Sequence, residues 1–210
     1  QKPIYDILEK SASRLIQLIR ELLDISRIES GRLELNLESL DLVDMTSILV
    51  KDLLPNAINK DLDLIFEPPA GPLPSIVGDQ QRLRQIMLNI VDNAIKYTDQ
   101  GSVRVAVRQE QDQLVFSVTD TGHGLAPSEI SRLFTKFTRV GGSSRAHTEG
   151  TGLGLYVARQ IVEEHHGSVQ AASPGLGQGS TFSMRLPIEG SPASHKIGDS
   201  AIVGIKTTYP

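Results

Sequence analysis

Two close pairs of strand-like runs, 102–109 with 113–119 and 168–172 with 180–186, are set among helical stretches, and this alternation restricts the fold more than any other feature. Apolar residues recur at every second position in these runs, the spacing of a half-buried strand. The first pair is separated by a few polar residues and reads as a hairpin. Further alternating runs at Leu33, Leu35 and Leu37 and at Leu62, Leu64 and Phe66 read as strands. Residues 43–59, about 79–97, 127–134 and 153–165 read as helices, with Pro68, Pro69, Gly71, Pro72 and Pro74 forming a turn-rich connection. Strand pairs interleaved with helices predict an α+β fold: a two-layer α/β sandwich with a mixed sheet and helices on one face.

A long amphipathic helix is expected ahead of this sandwich. Ile4, Leu8, Leu15, Leu18, Leu22 and Ile25 fall at alternating three- and four-residue steps, the seam of a coiled coil or bundle, interrupted at Ser11. Ile7, Ile16, Ile19 and Leu23 widen the stripe, so the helix needs a partner. Gly31 is a plausible C-terminal cap. The net charge of −4 and pI of 5.7 argue against a broad nucleic-acid-binding surface. The absence of cysteine excludes disulfides, cysteine-based zinc sites and thiol catalysis. No run is long and apolar enough to span a bilayer, so this segment is expected to make no membrane contact.

Three segments carry candidate chemistry. In the helix 82–97, Leu83, Ile86, Met87, Ile90 and Ala94 gather on one stripe, and Asn89, Asn93, Lys96 and Tyr97 occupy the stripe beside it. Two amides, an ammonium and a ring in line could hold a metal ion, meet phosphate and stack on a base; equally they could be a solvated helix flank. Asp120 shares the parity of Leu114, Phe116 and Val118, so its carboxylate points coreward at a strand end, which is costly unless hydrogen-bonded. Thr121-Gly122-His123-Gly124 follows, a backbone that tolerates close approach of a flat ligand but also suits a simple turn. Gly150-Thr151-Gly152-Leu153-Gly154-Leu155 leads directly into a helix, where unpaired N–H groups and the helix dipole favour anions. It lacks the preceding strand of a dinucleotide fingerprint and the Gly-Lys-Ser/Thr of a Walker loop.

In this order the motifs resemble the ATP-binding domain of sensor histidine kinases, in the wider group of DNA gyrase B, heat-shock chaperone and mismatch-repair ATPases. The resemblance rests on Gln85–Asn89 with Asp92–Thr98, on Asp120–Leu125, on Leu133-Phe134-Thr135-Lys136-Phe137-Thr138-Arg139, on Gly150–Leu155 and on Gly177-Gln178-Gly179-Ser180-Thr181-Phe182. The helix ending Glu21–Gly31 resembles the second helix of the family's dimerisation hairpin. The resemblance implies three parts: residues 1–31 from that hairpin, an ATP-binding catalytic domain over 32–188, and a tail or linker over 189–210.

It further implies that Asn89 and Asn93 hold Mg²⁺, that Lys96 meets phosphate and that Tyr97 packs on the adenine. Asp120 would accept from the adenine amino group with Thr181 nearby, and Gly122, Gly124 and Leu125 would shape the base pocket. Arg139 would reach the phosphates from the start of a loose lid over 138–151, and Gly150, Gly152 and Gly154 would cradle the triphosphate. Lys136, Thr151, Leu153 and Leu155 fall within the same nucleotide-binding set. The ATPase branches carry glutamate at the place of Asn89 to activate water; an amide cannot act as that base. The family's acceptor pattern, His-Glu/Asp-x-Arg/Lys-x-Pro, surrounds none of His123, His147, His165, His166 and His195. His165 and His166 read as a solvated helix terminus, with metal binding the lesser alternative. The expected protein is therefore a cytoplasmic ATP-dependent kinase unit of a two-component system, a homodimer through its first helix, with a response-regulator receiver domain as partner and a phosphoacceptor outside this chain. The alternatives are a nucleotide-sensing module without transfer activity and a stand-alone ATPase.

Overall fold

A computed structural model describes residues 2–138 and 151–191. The first helix, α1 (Lys2–Glu29), leads through an extended segment to β1 (Glu38–Leu40) and α2 (Leu42–Ile58). After β2 (Leu62–Glu67) and β3 (Ile76–Gly78) comes α3 (Gln80–Lys96), then the hairpin β4 (Gly101–Glu110) and β5 (Gln113–Asp120). A short α4 (Pro127–Ile130) precedes α5 (Gly154–Glu164), β6 (Ser168–Ala172) and β7 (Ser180–Pro187).

The main sheet has five strands in the order β2-β4-β5-β7-β6. Only β2 and β4 run parallel, joined by a crossover that contains α3; the other pairs are antiparallel. The sheet is thus mixed, as expected. Val103, Val105 and Val107 of β4, Leu114, Phe116 and Val118 of β5, and Met184 and Leu186 of β7 form the buried face. Leu49 and Leu53 of α2, Leu83, Met87 and Ile90 of α3, and Val157 and Ile161 of α5 complete the same core.

Helix starts follow local chemistry. Asp41 caps α2, its Oδ1 accepting from the N–H groups of Val43 and Asp44. Asp79 caps α3, its Oδ1 accepting from Arg82 at 3.0 Å. In each case a carboxylate satisfies N–H groups that the first turn leaves unpaired.

Three expectations change. Residues 33–37 alternate in exposure as anticipated but form no ladder; pairing begins only at Glu38, antiparallel to β3. The N–H of Asn36 bonds instead to the Asp79 carboxylate at 3.0 Å. His165 is no solvated terminus: it is fully buried, and its Nε2 accepts from the Asp79 N–H at 3.0 Å. The last turns of α1 pack on their own domain, with Ile25 in the core and Asp24 paired to Arg82 at 2.9 Å. Leu15, Ile16, Ile19, Leu22 and Leu23 of the same helix are about half exposed.

Candidate functional site

The site grows outward from α3. Burying Leu83, Ile86, Met87, Ile90 and Ala94 against the sheet fixes the helix's rotation, which leaves Asn89, Asn93, Lys96 and Tyr97 half-buried along one flank. Asn93 donates through Nδ2 to Asn89 Oδ1 at 3.1 Å, so the two amides orient each other. The Asn93 Oδ1 accepts no hydrogen bond among the described residues. Lys96 Nζ stands 5.5 Å from the centroid of the Tyr97 ring.

α5 closes one side of this strip. A Cβ on Gly154 would lie 2.8 Å from Asn89 Nδ2, so a side chain there would displace the Asn89 amide. The first turn of α5 has no side-chain cap; Thr151 Oγ1 accepts from the Leu153 N–H at 3.1 Å, and the N–H groups of the first turn have no acceptor within the helix. The dipole there favours an anion.

The turn after β5 closes the other side. Gly122 meets the end of α3 so tightly that a Cβ would lie 2.3 Å from the Tyr97 carbonyl oxygen. The N–H of His123 donates to that same carbonyl at 3.1 Å. His123 Nε2 lies 2.7 Å from Asp99 Oδ2, and its Nδ1 is buried with no partner among the described residues. Leu125 is buried, its N–H donated to Ser173 Oγ at 3.0 Å, and Gly124 lies against the backbone of Gly175.

Asp120 is 6% exposed. Its Oδ1 accepts from the N–H groups of Gly122 at 2.9 Å and Ser180 at 3.2 Å. Its Oδ2 takes no hydrogen bond among the described residues. Burial raises the carboxyl's pKa above the ordinary value, an effect opposed by these two N–H groups and by His123. One oxygen of this carboxylate is held by the protein and the other is left for a donor.

Several expected residues are placed differently. Thr181 pairs with Thr119 in the ladder, and their hydroxyls lie 3.0 Å apart on the sheet face opposite Asp120. Ser180, directly across from Asp120, is the residue that shares its face. The side chain of Leu153 is 1% exposed and belongs to the core, so only its backbone can border a ligand. Leu155 is half-buried in the first turn of α5, and Gly152 packs against the backbone of Phe137. Lys136 is ion-paired with Glu29 of α1, with its Nζ 5.1 Å from the Tyr156 ring centroid. Thr151 Oγ1 donates to Glu21, which is 5% exposed on α1. Arg139, Gly150 and the expected lid between them lie outside the described residues, as does the tail from residue 192.

Sequence reasoning missed Ser180, Glu21 and Glu29. Ser180 was legible in principle from strand parity, but only once the β5–β7 register is known; the α1 carboxylates lie in the hairpin-like stretch Glu21–Gly31, which does not reveal their contacts with Thr151 and Lys136.

Residues 78–190 match the family described as histidine kinase-, DNA gyrase B- and HSP90-like ATPase. The chain is 35% identical over 189 residues to the circadian input-output histidine kinase CikA of Synechococcus elongatus, covering 89% of this chain and 25% of that protein. It is 37% identical over 186 residues to the sensor histidine kinase GacS of Pseudomonas protegens, covering 86% of this chain and 20% of that one. The chain therefore spans a quarter or less of these relatives. Among solved structures, full-length ShkA in complex with AMPPNP superposes with a TM-score of 0.77 at 31% identity, over 90% of this chain and 39% of that one. The Acinetobacter baumannii histidine kinase AdeS shares the fold, with a TM-score of 0.73 at 22% identity, over 90% of this chain and 86% of that one.

Proposed function

The chain belongs to the histidine kinase-, DNA gyrase B- and HSP90-like ATPase family, and on that premise we propose that it is the ATP-binding catalytic unit of a sensor histidine kinase. In this reading residues 32–188 bind Mg-ATP and present its γ-phosphoryl group to a histidine that does not lie on this chain. Residues 1–31 supply a helix of the dimerisation hairpin.

The observation that carries the reading is Asp120, whose buried carboxylate keeps one oxygen for an outside donor. An adenine amino group is such a donor, and Ser180 rather than Thr181 is the hydroxyl beside it. Asn89 and Asn93 are the oxygen donors for Mg²⁺, which prefers a few protein oxygens together with phosphate and water. Mg²⁺ there would offset negative charge on the phosphates. Lys96 and the N-terminal turn of α5 add positive potential along the same flank. In the transfer an imidazole nitrogen attacks the γ-phosphorus while the bond to the β–γ bridging oxygen breaks and ADP leaves. The protein's part is positioning and charge neutralisation.

Two of the described histidines are already committed to contacts within the protein. His165 is buried with both ring nitrogens engaged, and His123 is bonded to Asp99. An ATPase is disfavoured because Asn89 offers no base for water. The exposed apolar residues Leu15, Ile16, Ile19, Leu22 and Leu23 support pairing of α1 within a homodimer. A receiver domain would then take the phosphoryl group onward. No helix among the described residues is long and apolar enough to cross a membrane, and the cytoplasm is the proposed location.

The test supplies labelled Mg-ATP to this chain with a separate fragment carrying the family's acceptor hairpin. Acid-labile label on that fragment, with little phosphate release and none on this chain, is expected. Rapid phosphate release without transfer would instead establish an ATPase.

A further inference from the structure

The end of α3 has no glycine to close it, yet each carbonyl there meets a donor. Ala94 O receives the Thr98 hydroxyl at 2.7 Å, and Tyr97 O receives the His123 N–H. The remaining three converge on one side chain. Lys60 Nζ lies 2.8 Å from Ile95 O, 2.9 Å from Lys96 O and 2.9 Å from Thr98 O. An ammonium has three N–H donors, so all of them are used on this one turn.

Lys60 is placed to do this by its own loop. It sits between α2 and β2, where the N–H groups of Lys60 and Asp61 close back on Ala57 and Ile58 and Asp61 takes a left-handed φ of 56°. A cation at this end of a helix is favoured by the dipole. A guanidinium presents its donors in a flat fork and cannot gather three carbonyls around one point in the same way.

The turn that Lys60 gathers is Ile95-Lys96-Tyr97-Thr98, which contains the ammonium and ring assigned above to the nucleotide. The Tyr97 carbonyl within it also seats the turn at Gly122 that carries Asp120's hydrogen bond. The rest of α3 is anchored independently, by its Asp79 cap and its core face. We propose that Lys60 is a positioning residue for nucleotide binding: it sets the backbone that aims Lys96 and Tyr97, without itself touching the ligand. This rests on the nucleotide reading of the site.

The chain has no cysteine, so a single one at position 60 can be alkylated selectively. Lys60→Cys should bind Mg-ATP about tenfold more weakly by calorimetry, measured where circular dichroism shows it folded, and the amides of 97–101 should exchange faster. Aminoethylation of that cysteine restores an ammonium at nearly the original distance and should return affinity to within about twofold of the parent. Lys60→Arg, which keeps the charge and guards against a cysteine variant that fails to fold, should show an intermediate loss. Parental affinity in Lys60→Cys or in Lys60→Arg would overturn the proposal, as would a loss that aminoethylation leaves unchanged. Failure of the unaltered chain to bind Mg-ATP would instead sink the nucleotide reading itself.

Discussion

His165 accepts the backbone N–H of Asp79 through Nε2 at 3.0 Å, joining the end of α5 to the start of α3 across the core. Its Nδ1 donates to the Ile161 carbonyl at 2.7 Å, which fixes the neutral tautomer. Burial lowers its pKa below the ordinary value of 6.5, with the Ile161 carbonyl and the Asp79 and Glu164 carboxylates opposing. The unfolded chain therefore binds this proton more readily than the native one. The stabilising contribution is complete above pH 6.5 and is lost as pH falls below it. Urea midpoints should decline between pH 7.5 and 5.5, and His165→Gln, which keeps an acceptor without a titration, should flatten that part of the curve. Parallel curves for the two proteins would remove His165 from the account.

Asp120 titrates with the opposite consequence for a ligand. Its raised pKa means that the carboxylate begins to protonate above the ordinary carboxyl range, and ATP affinity should fall with pH from there. Asp120→Asn replaces an acceptor by a donor and should cost roughly 1.5–3 kcal/mol of ATP binding, while any weak GTP binding changes little. Calorimetry with both nucleotides is the check, since an equal loss for both would mean a disturbed fold.

Gly154→Ala places a methyl group 2.8 Å from Asn89 Nδ2. Gly154 starts α5 without a positive φ, so alanine is accepted conformationally there and thermal stability should change by less than about 1 kcal/mol. Displacement of Asn89 should nevertheless weaken Mg-ATP binding at least about tenfold. Asn93→Ala should abolish it, because this residue's amide oxygen is unpaired among the described residues and is the oxygen assigned to Mg²⁺. Titrations with and without Mg²⁺ separate these effects from loss of base binding.

The two halves of α1 should respond differently to mutation. Leu15→Glu with Leu22→Glu alters only exposed positions and should shift light scattering from dimer to monomer with nucleotide affinity intact. Asp24→Ala leaves Arg82 without its ion-pair partner and should destabilise the domain itself, by about 1–3 kcal/mol in urea unfolding. Removing everything before Leu33 should combine both effects, because Ile25 leaves the core.

Strand and helix periods, the asparagine flank of α3, the coreward Asp120 and the glycine-rich start of α5 were legible in order along the chain. Each depends on residues near one another in sequence: a period of two or of 3.6 already says which side chains share a face. The placement of Ser180 rather than Thr181 beside Asp120 depends on the register between β5 and β7, and a one-residue shift exchanges the two faces. His165 reads as a solvated end because its local partner, the Ile161 carbonyl, engages only one ring nitrogen; the N–H of Asp79, 86 residues away, engages the other. Lys60 on the carbonyls of α3 and Glu21 on Thr151 arise in the same way, from contacts between distant segments. Local pattern determined the elements and the motifs they carry. Only the packing of those elements decided which polar atoms are already bonded within the protein and which remain for a ligand.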